Sequence, residues 1–103
     1  MSGMKASWNN KVIAEADKDK LIYIEGNWYF PPSSIKKEHY KPTSQHSVCY
    51  WKGLASYYDV DVDGQLNNGA AWYYPKPTRL SKKIVKKDFS NYVAFWHGVK
   101  VEE

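Results

Sequence analysis

The sequence predicts one mainly β domain with one or two short helices. Three observations carry that prediction. Apolar residues recur mostly with period two, the spacing of a half-buried strand. The stretch LASYYDVDVDGQ, residues 54–65, runs into Asp63-Gly64, a strong hairpin signal. Aromatic residues make up 17% of the 103 positions, with five Trp, nine Tyr and three Phe. A chain this short buries only about 60–70% of the surface it exposes when unfolded, so large side chains must fill a thin core. The length suits a single domain over residues 1–103.

The elements follow in chain order. KVIAEA (residues 11–16) and KLIYIEG (20–26) read as two strands around the polar turn Asp17-Lys18-Asp19. NWYFP (27–31) reads as a third, ended by Pro31. PPSSIKKEHY (31–40) is the best short helix, because a proline pair and Ser33 make a start signal. After the Asp63-Gly64 turn, GAAWYYP (69–75) returns as a strand. SKKIVKKDF (81–89) reads as one or two helical turns, and NYVAFWHGVKVEE (91–103) as a strand pair hinged at Gly98.

Charge and cysteine usage narrow the function classes. The net charge is +4, and six basic residues with no acid lie between Lys76 and Lys87. Cys49 is the only cysteine, so no internal disulfide forms and a reducing compartment is favoured. The N-terminus lacks the apolar segment of a signal peptide, and no apolar run is long enough to span a bilayer. A cytoplasmic protein with no membrane partner is the expectation.

Several motifs fail their own requirements. DVDVDG places Asp59, Asp61, Asp63 and Gly64 as in an EF-hand calcium loop, but that loop needs a bidentate Glu where Ala70 stands. Val60 and Val62 turned to the core, with the aspartates turned to water, account for the pattern. His46 and Cys49, spaced H-x-x-C, could put two ligands on one turn. No second cysteine completes a zinc site, and His39 and His97 lie far away in sequence. No metal and no cofactor are expected. No phosphate loop occurs. The basic stretch 76–87 has no recognised nucleic-acid motif beside it, so nucleic acid is not the expected partner.

What remains is a concentration of functional residue types in EGNWYFP, HSVCYWKGLASYY and NNGAAWYYPKP. Here the chain resembles the domain of unknown function 427 family, sometimes labelled nucleotidyltransferase-like. The matching pieces are Glu25 with Tyr29-Phe30-Pro31, Cys49 with Lys52-Gly53, and Ala55-Ser56-Tyr57-Tyr58. Ala71-Trp72-Tyr73-Tyr74-Pro75 with Pro77, and Val93-Ala94-Phe95, complete them. Tyr50 stands where the family more often has proline. The resemblance implies a β-tent-like fold, two small antiparallel sheets meeting at an angle. Zinc-bearing relatives of that architecture include methionine-sulfoxide reductases of the B type and aromatic-cage ligand-binding domains. This chain lacks their paired cysteines, so aromatic packing replaces the metal. The nucleotidyltransferase label gains no support, since no metal-binding carboxylate pair is visible.

The residues then point to one aromatic pocket that takes a small flat or polar molecule. Its polar groups are Glu25, Cys49 and Lys52, with Lys52 and Glu25 paired across it. Tyr29, His46, Trp51, Tyr57, Tyr58 and Trp72 are the ligand-binding candidates. Tyr29, Tyr57 and Tyr58 cannot all be core, because strand neighbours face opposite ways. Gly53 permits an unusual backbone angle or a close approach. One alternative is a cysteine-dependent enzyme, with Cys49 as nucleophile, His46 or Glu25 as base, and Lys52 or backbone N–H groups holding an anion. Another is a protein or nucleic-acid interaction module using residues 76–87. A homodimer is compatible with either.

Overall fold

The computed structural model describes residues 3–103. The fold is mainly β, with three small antiparallel sheets and one short α-helix. The strands are β1 (Gly3–Trp8), β2 (Lys11–Asp17), β3 (Ile22–Ile24), β4 (Asn27–Tyr29), β5 (Tyr40–Cys49), β6 (Gly53–Val62), β7 (Gln65–Tyr73), β8 (Val93–Phe95) and β9 (Lys100–Glu102). The helix, α1, spans Arg79–Val85. Where the resemblance implies two sheets, the chain builds β5-β6-β7-β8, β2-β1-β9 and the β3-β4 hairpin.

The four-stranded sheet is the centre, and period two gives it two apolar faces. Tyr57 and Tyr58 are neighbours on β6 and enter different clusters. Tyr58 packs with the cluster in which Val60, Val62 and Phe95 meet Met4, Ala6, Ile13 and Ala14 of the three-stranded sheet. Tyr57 joins the other cluster, with Ala55, Tyr74, Phe89 and the hairpin residues Ile22, Ile24 and Tyr29. The β3-β4 hairpin is tied to the β8 edge. The Phe30 amide donates to the Val93 carbonyl at 2.8 Å, and the Val93 amide donates back at 2.9 Å. Phe30 and Tyr29 then fall in opposite clusters, as neighbours on an extended segment must.

Four sequence expectations change. β2 and β3 are strands, but a 3-10 turn at Lys18–Lys20 separates them, and they pair with β1 and β4 instead of each other. Residues 31–40 form two single 3-10 turns, Pro32–Ser34 and Lys37–His39, and no α-helix. Ile35 between them is extended and bridges to Ala14, and the Lys36 amide donates to the Ile13 carbonyl at 2.9 Å. That tertiary bond wins over the start signal. β8 and β9 do not form a hairpin about Gly98: β8 joins β7 and β9 joins β1. The stretch holding His46 and Cys49 is the end of the long edge strand β5 rather than a turn.

The β6–β7 hairpin and a short helix form as expected, but with other bounds: β7 spans Gln65–Tyr73 rather than 69–75, and α1 spans Arg79–Val85 rather than 81–89. β6 and β7 form the hairpin at Asp63-Gly64. α1 starts at Thr78, whose hydroxyl accepts from the Ser81 amide at 3.1 Å. It ends at Lys86, held at φ +67° with its amide on the Lys82 carbonyl. Among the described residues, no helix is long and apolar enough to cross a membrane.

Candidate functional site

Two turns and one helix end meet beside the second cluster. The first turn is Glu25-Gly26, joining β3 to β4, with φ of +52° and +84°. Two-residue hairpin turns with both φ positive favour Asn-Gly, so glutamate there carries a strain of about 1–2 kcal/mol. The second turn is Tyr50–Lys52, between β5 and β6. Gly53 closes it at φ +110°, where a Cβ would lie 3.4 Å from the Lys76 carbonyl oxygen. No side chain fits that backbone easily. The turn is bound to the start of α1, because the Thr78 amide donates to the Lys52 carbonyl at 3.1 Å and its hydroxyl donates to the Trp51 carbonyl.

The strained Glu25 reaches Lys52. The Lys52 Nζ donates to Glu25 Oε1 in an ion pair. Lys52 is one of the few buried polar residues, at 6% exposure. Its ammonium lies 5.2 Å from the centre of the Tyr74 ring and 5.4 Å from that of Trp51. Burial pulls the ammonium toward its neutral form. The Glu25 hydrogen bond and the neighbouring Tyr29 and Tyr74 outweigh that and hold it above the ordinary lysine value. Burial pushes the Tyr74 phenol up to about 12, against the opposing pull of Lys52. Tyr29 is raised as well, again by burial first, although the Trp72 indole donates to its oxygen at 3.1 Å.

In front of this pair lies an open groove of about 520 Å³ between the hairpin, the Trp51 turn and α1. Tyr23, Trp28, Trp51 and Ile84 form its apolar walls, with Glu25 and Lys87 among its charged groups. Tyr23 and Trp28 are cross-strand partners whose rings sit 4.7 Å apart. The volume falls within the range of small-molecule sites.

The structure brings together part of the predicted constellation. Glu25 and Trp51 line the groove, and Lys52 lies behind Glu25. Cys49 is half-buried against the second cluster and is not on the groove wall. Tyr29 is fully buried at 0% exposure. Trp72 is half-buried beside it, and Tyr57 is buried with its hydroxyl 2.7 Å from that of Ser47. Tyr58 lies in the opposite cluster, stacked on Tyr73 at 4.5 Å.

His46 does not join Cys49. A strand separates residues three apart by about 10 Å and turns them to opposite faces, so H-x-x-C cannot act here as on a turn. The His46 Nδ1 instead lies 3.1 Å from the Ser56 hydroxyl. The single pocket holding all nine candidates is therefore not what the fold builds.

Sequence reasoning flagged Trp28 within EGNWYFP and Lys87 within the basic stretch 76–87 but assigned neither to the pocket, and it passed over Tyr23 and Ile84 as site residues. The period-two pattern marked Tyr23, and the signal for Trp28 was the tight turn that sets it opposite Tyr23. Ile84 and Lys87 come from the far side of the chain, and no local pattern aims them at the hairpin. Among the described residues, no group of three or more His, Cys, Asp or Glu is gathered for a metal. Residues 2–103 match a family described as a domain of unknown function (DUF427). No curated protein matches the chain.

Proposed function

The chain belongs to the DUF427 family, and on that premise we propose that it is a binding module for a small flat or polar molecule. The observation that supports this reading is the convergence of Trp28, Trp51 and Glu25 on one groove of about 520 Å³. The indoles offer stacking area, and such contacts add about 0.5–1.5 kcal/mol beyond the area they bury. The Glu25 side chain is 53% exposed, so one carboxylate oxygen can meet Lys52 while the other accepts a hydrogen bond from the ligand. Lys52 acts as a positioning residue that fixes the direction of that acceptor. The strained backbone at Glu25 fits this role, since strain is kept where surrounding contacts demand it. The thiol-enzyme alternative is less favoured, because Cys49 is off the groove and His46 is turned to Ser56.

The test is an NMR titration of the labelled protein with indole. The side-chain N–H signals of Trp28 and Trp51 and the amide of Glu25 should shift together, and Trp51→Ala should remove the effect. Shifts confined to the Tyr58–Tyr73 side of the sheet, or none at millimolar indole, would overturn the proposal.

A further inference from the structure

We infer that the ligand of this groove is a flat aromatic molecule bearing an anionic group. The inference rests on the reading of the groove as a small-molecule site and concerns the charge of what it takes.

Charge around the groove is uneven. The acid on its wall is Glu25, and the Lys52 ammonium in contact with it offsets its charge. Lys18 is offset by Glu103 at 3.6 Å, whereas among the described residues no carboxylate pairs with Lys87. Lys87 is on the wall itself and is the cation that counts there; Lys18, 5.5 Å from the centre of the Trp28 ring, is off the wall and adds little beside Glu103. α1, which supplies Ile84 to the same wall, also carries exposed Arg79 and Lys83, and exposed Lys86 follows it. Asp88, beside Lys87 in sequence, accepts from the Ser90 amide at 3.0 Å and lies 4.0 Å from Lys82. The potential in the groove is therefore positive.

A neutral flat molecule gains only the stacking. An aromatic anion gains the stacking and the field of Lys87 and its neighbours, and an aromatic cation loses by it. Glu25 then serves as an uncharged-pair acceptor, taking a ring N–H or hydroxyl hydrogen. Carboxylate and phosphate would both supply the anion.

Three indoles of similar shape separate the terms: indole-3-acetate, indole and tryptamine, titrated into the full chain by NMR. The expected order of affinity is the anion first and the cation last. The step from indole to the anion is about two- to fivefold at low salt, as for a partly exposed charge contact. It should fade near 0.5 M salt, roughly, where screening acts within a few ångströms. Lys87→Gln should shrink the ratio of anion to indole affinity. Indoxyl phosphate carries about −1.5 to −2 charge at pH 7, so a step up to about twice the acetate's in free energy means that charge alone decides, whereas a larger gain would favour phosphate as the anion. Equal binding of all three indoles, or preference for tryptamine, would overturn this inference while sparing the groove. Binding of none of them would overturn both.

Discussion

Lys52 and Glu25 are an unequal pair: the Lys52 side chain is 7% exposed and that of Glu25 is 53% exposed. The buried ammonium depends on the carboxylate, but the carboxylate can turn to water. Removing either partner therefore has different consequences.

Glu25→Gln leaves a buried ammonium with a weaker acceptor and should cost about 1–2 kcal/mol. Lys52→Met replaces the buried charge by an apolar chain of similar volume and frees a glutamate that water can solvate. It should cost less than about 1 kcal/mol, below the 3–5 kcal/mol expected when a fully buried pair is broken. Urea melts of both variants and the double mutant check this. A larger loss for Lys52→Met than for Glu25→Gln would show that the carboxylate is the dependent partner. In the groove, Lys52→Met should weaken indole binding through the loss of Glu25 orientation.

How much of this was legible in the sequence follows from where each signal resides. The contact between Lys52 and Glu25 could be anticipated, because a lysine before Gly53 and a glutamate at a strand end have few other uses in an aromatic core. The β6–β7 hairpin was legible because its turn and its alternation, Val60 and Val62 inward, are local. Strand β5 was not, since its buried positions are few and Pro42 interrupts it on a sheet edge. Pairing of β9 with β1 joins the two ends of the chain, and no short-range pattern encodes it. His46 and Cys49 were misjudged because a spacing of three means one face on a helix or turn but opposite faces on a strand.

At high pH Tyr29, Tyr40, Tyr58 and Tyr74 should resist ionisation. Burial raises Tyr29 and Tyr40 and pushes Tyr58 and Tyr74 to about 12. A phenol whose folded value lies above its unfolded value of 10.0 contributes stability that is complete below pH 10.0. The contribution is lost as pH rises from there through the folded value. Lys52, also raised, has the same sign and loses its contribution above the ordinary lysine range. Stability should then fall steadily above pH 10.0, in the same window where tyrosinate absorbance rises late. An absorbance titration in which all nine tyrosines ionise together near 10.0, with the fold intact, would contradict this.

Cys49 should behave as packing. It is half-buried against the second cluster. Iodoacetamide should modify it more slowly in the folded protein than in urea. Cys49→Ala should leave indole binding within twofold, roughly the noise of a surface-sized change. A folded-state rate above the unfolded one, or loss of binding on Cys49→Ala, would restore the thiol-enzyme reading.

The aspartates of DVDVDG should separate by the bonds they make. Asp59 Oδ1 accepts from the Gly69 amide at 2.8 Å, across the register shift where β6 meets β7. Gly69 is buried at φ +64°, and its carbonyl accepts from the Trp96 indole at 2.6 Å, so its backbone has no freedom to find water. Asp59→Ala strands that amide and should cost about 1–3 kcal/mol. Asp59→Asn keeps an acceptor oxygen in place and should recover most of the loss. Asp61 pairs with Lys41 at 3.1 Å, but the lysine is 63% exposed, so Asp61→Ala should cost less than about 1 kcal/mol. Thermal melts of the three variants, each with and without millimolar calcium, decide the matter. If calcium raises the melting temperature of the parent chain, and Asp59→Ala and Asp61→Ala both abolish that rise, the aspartates are ligands and the account from their bonds to Gly69 and Lys41 fails.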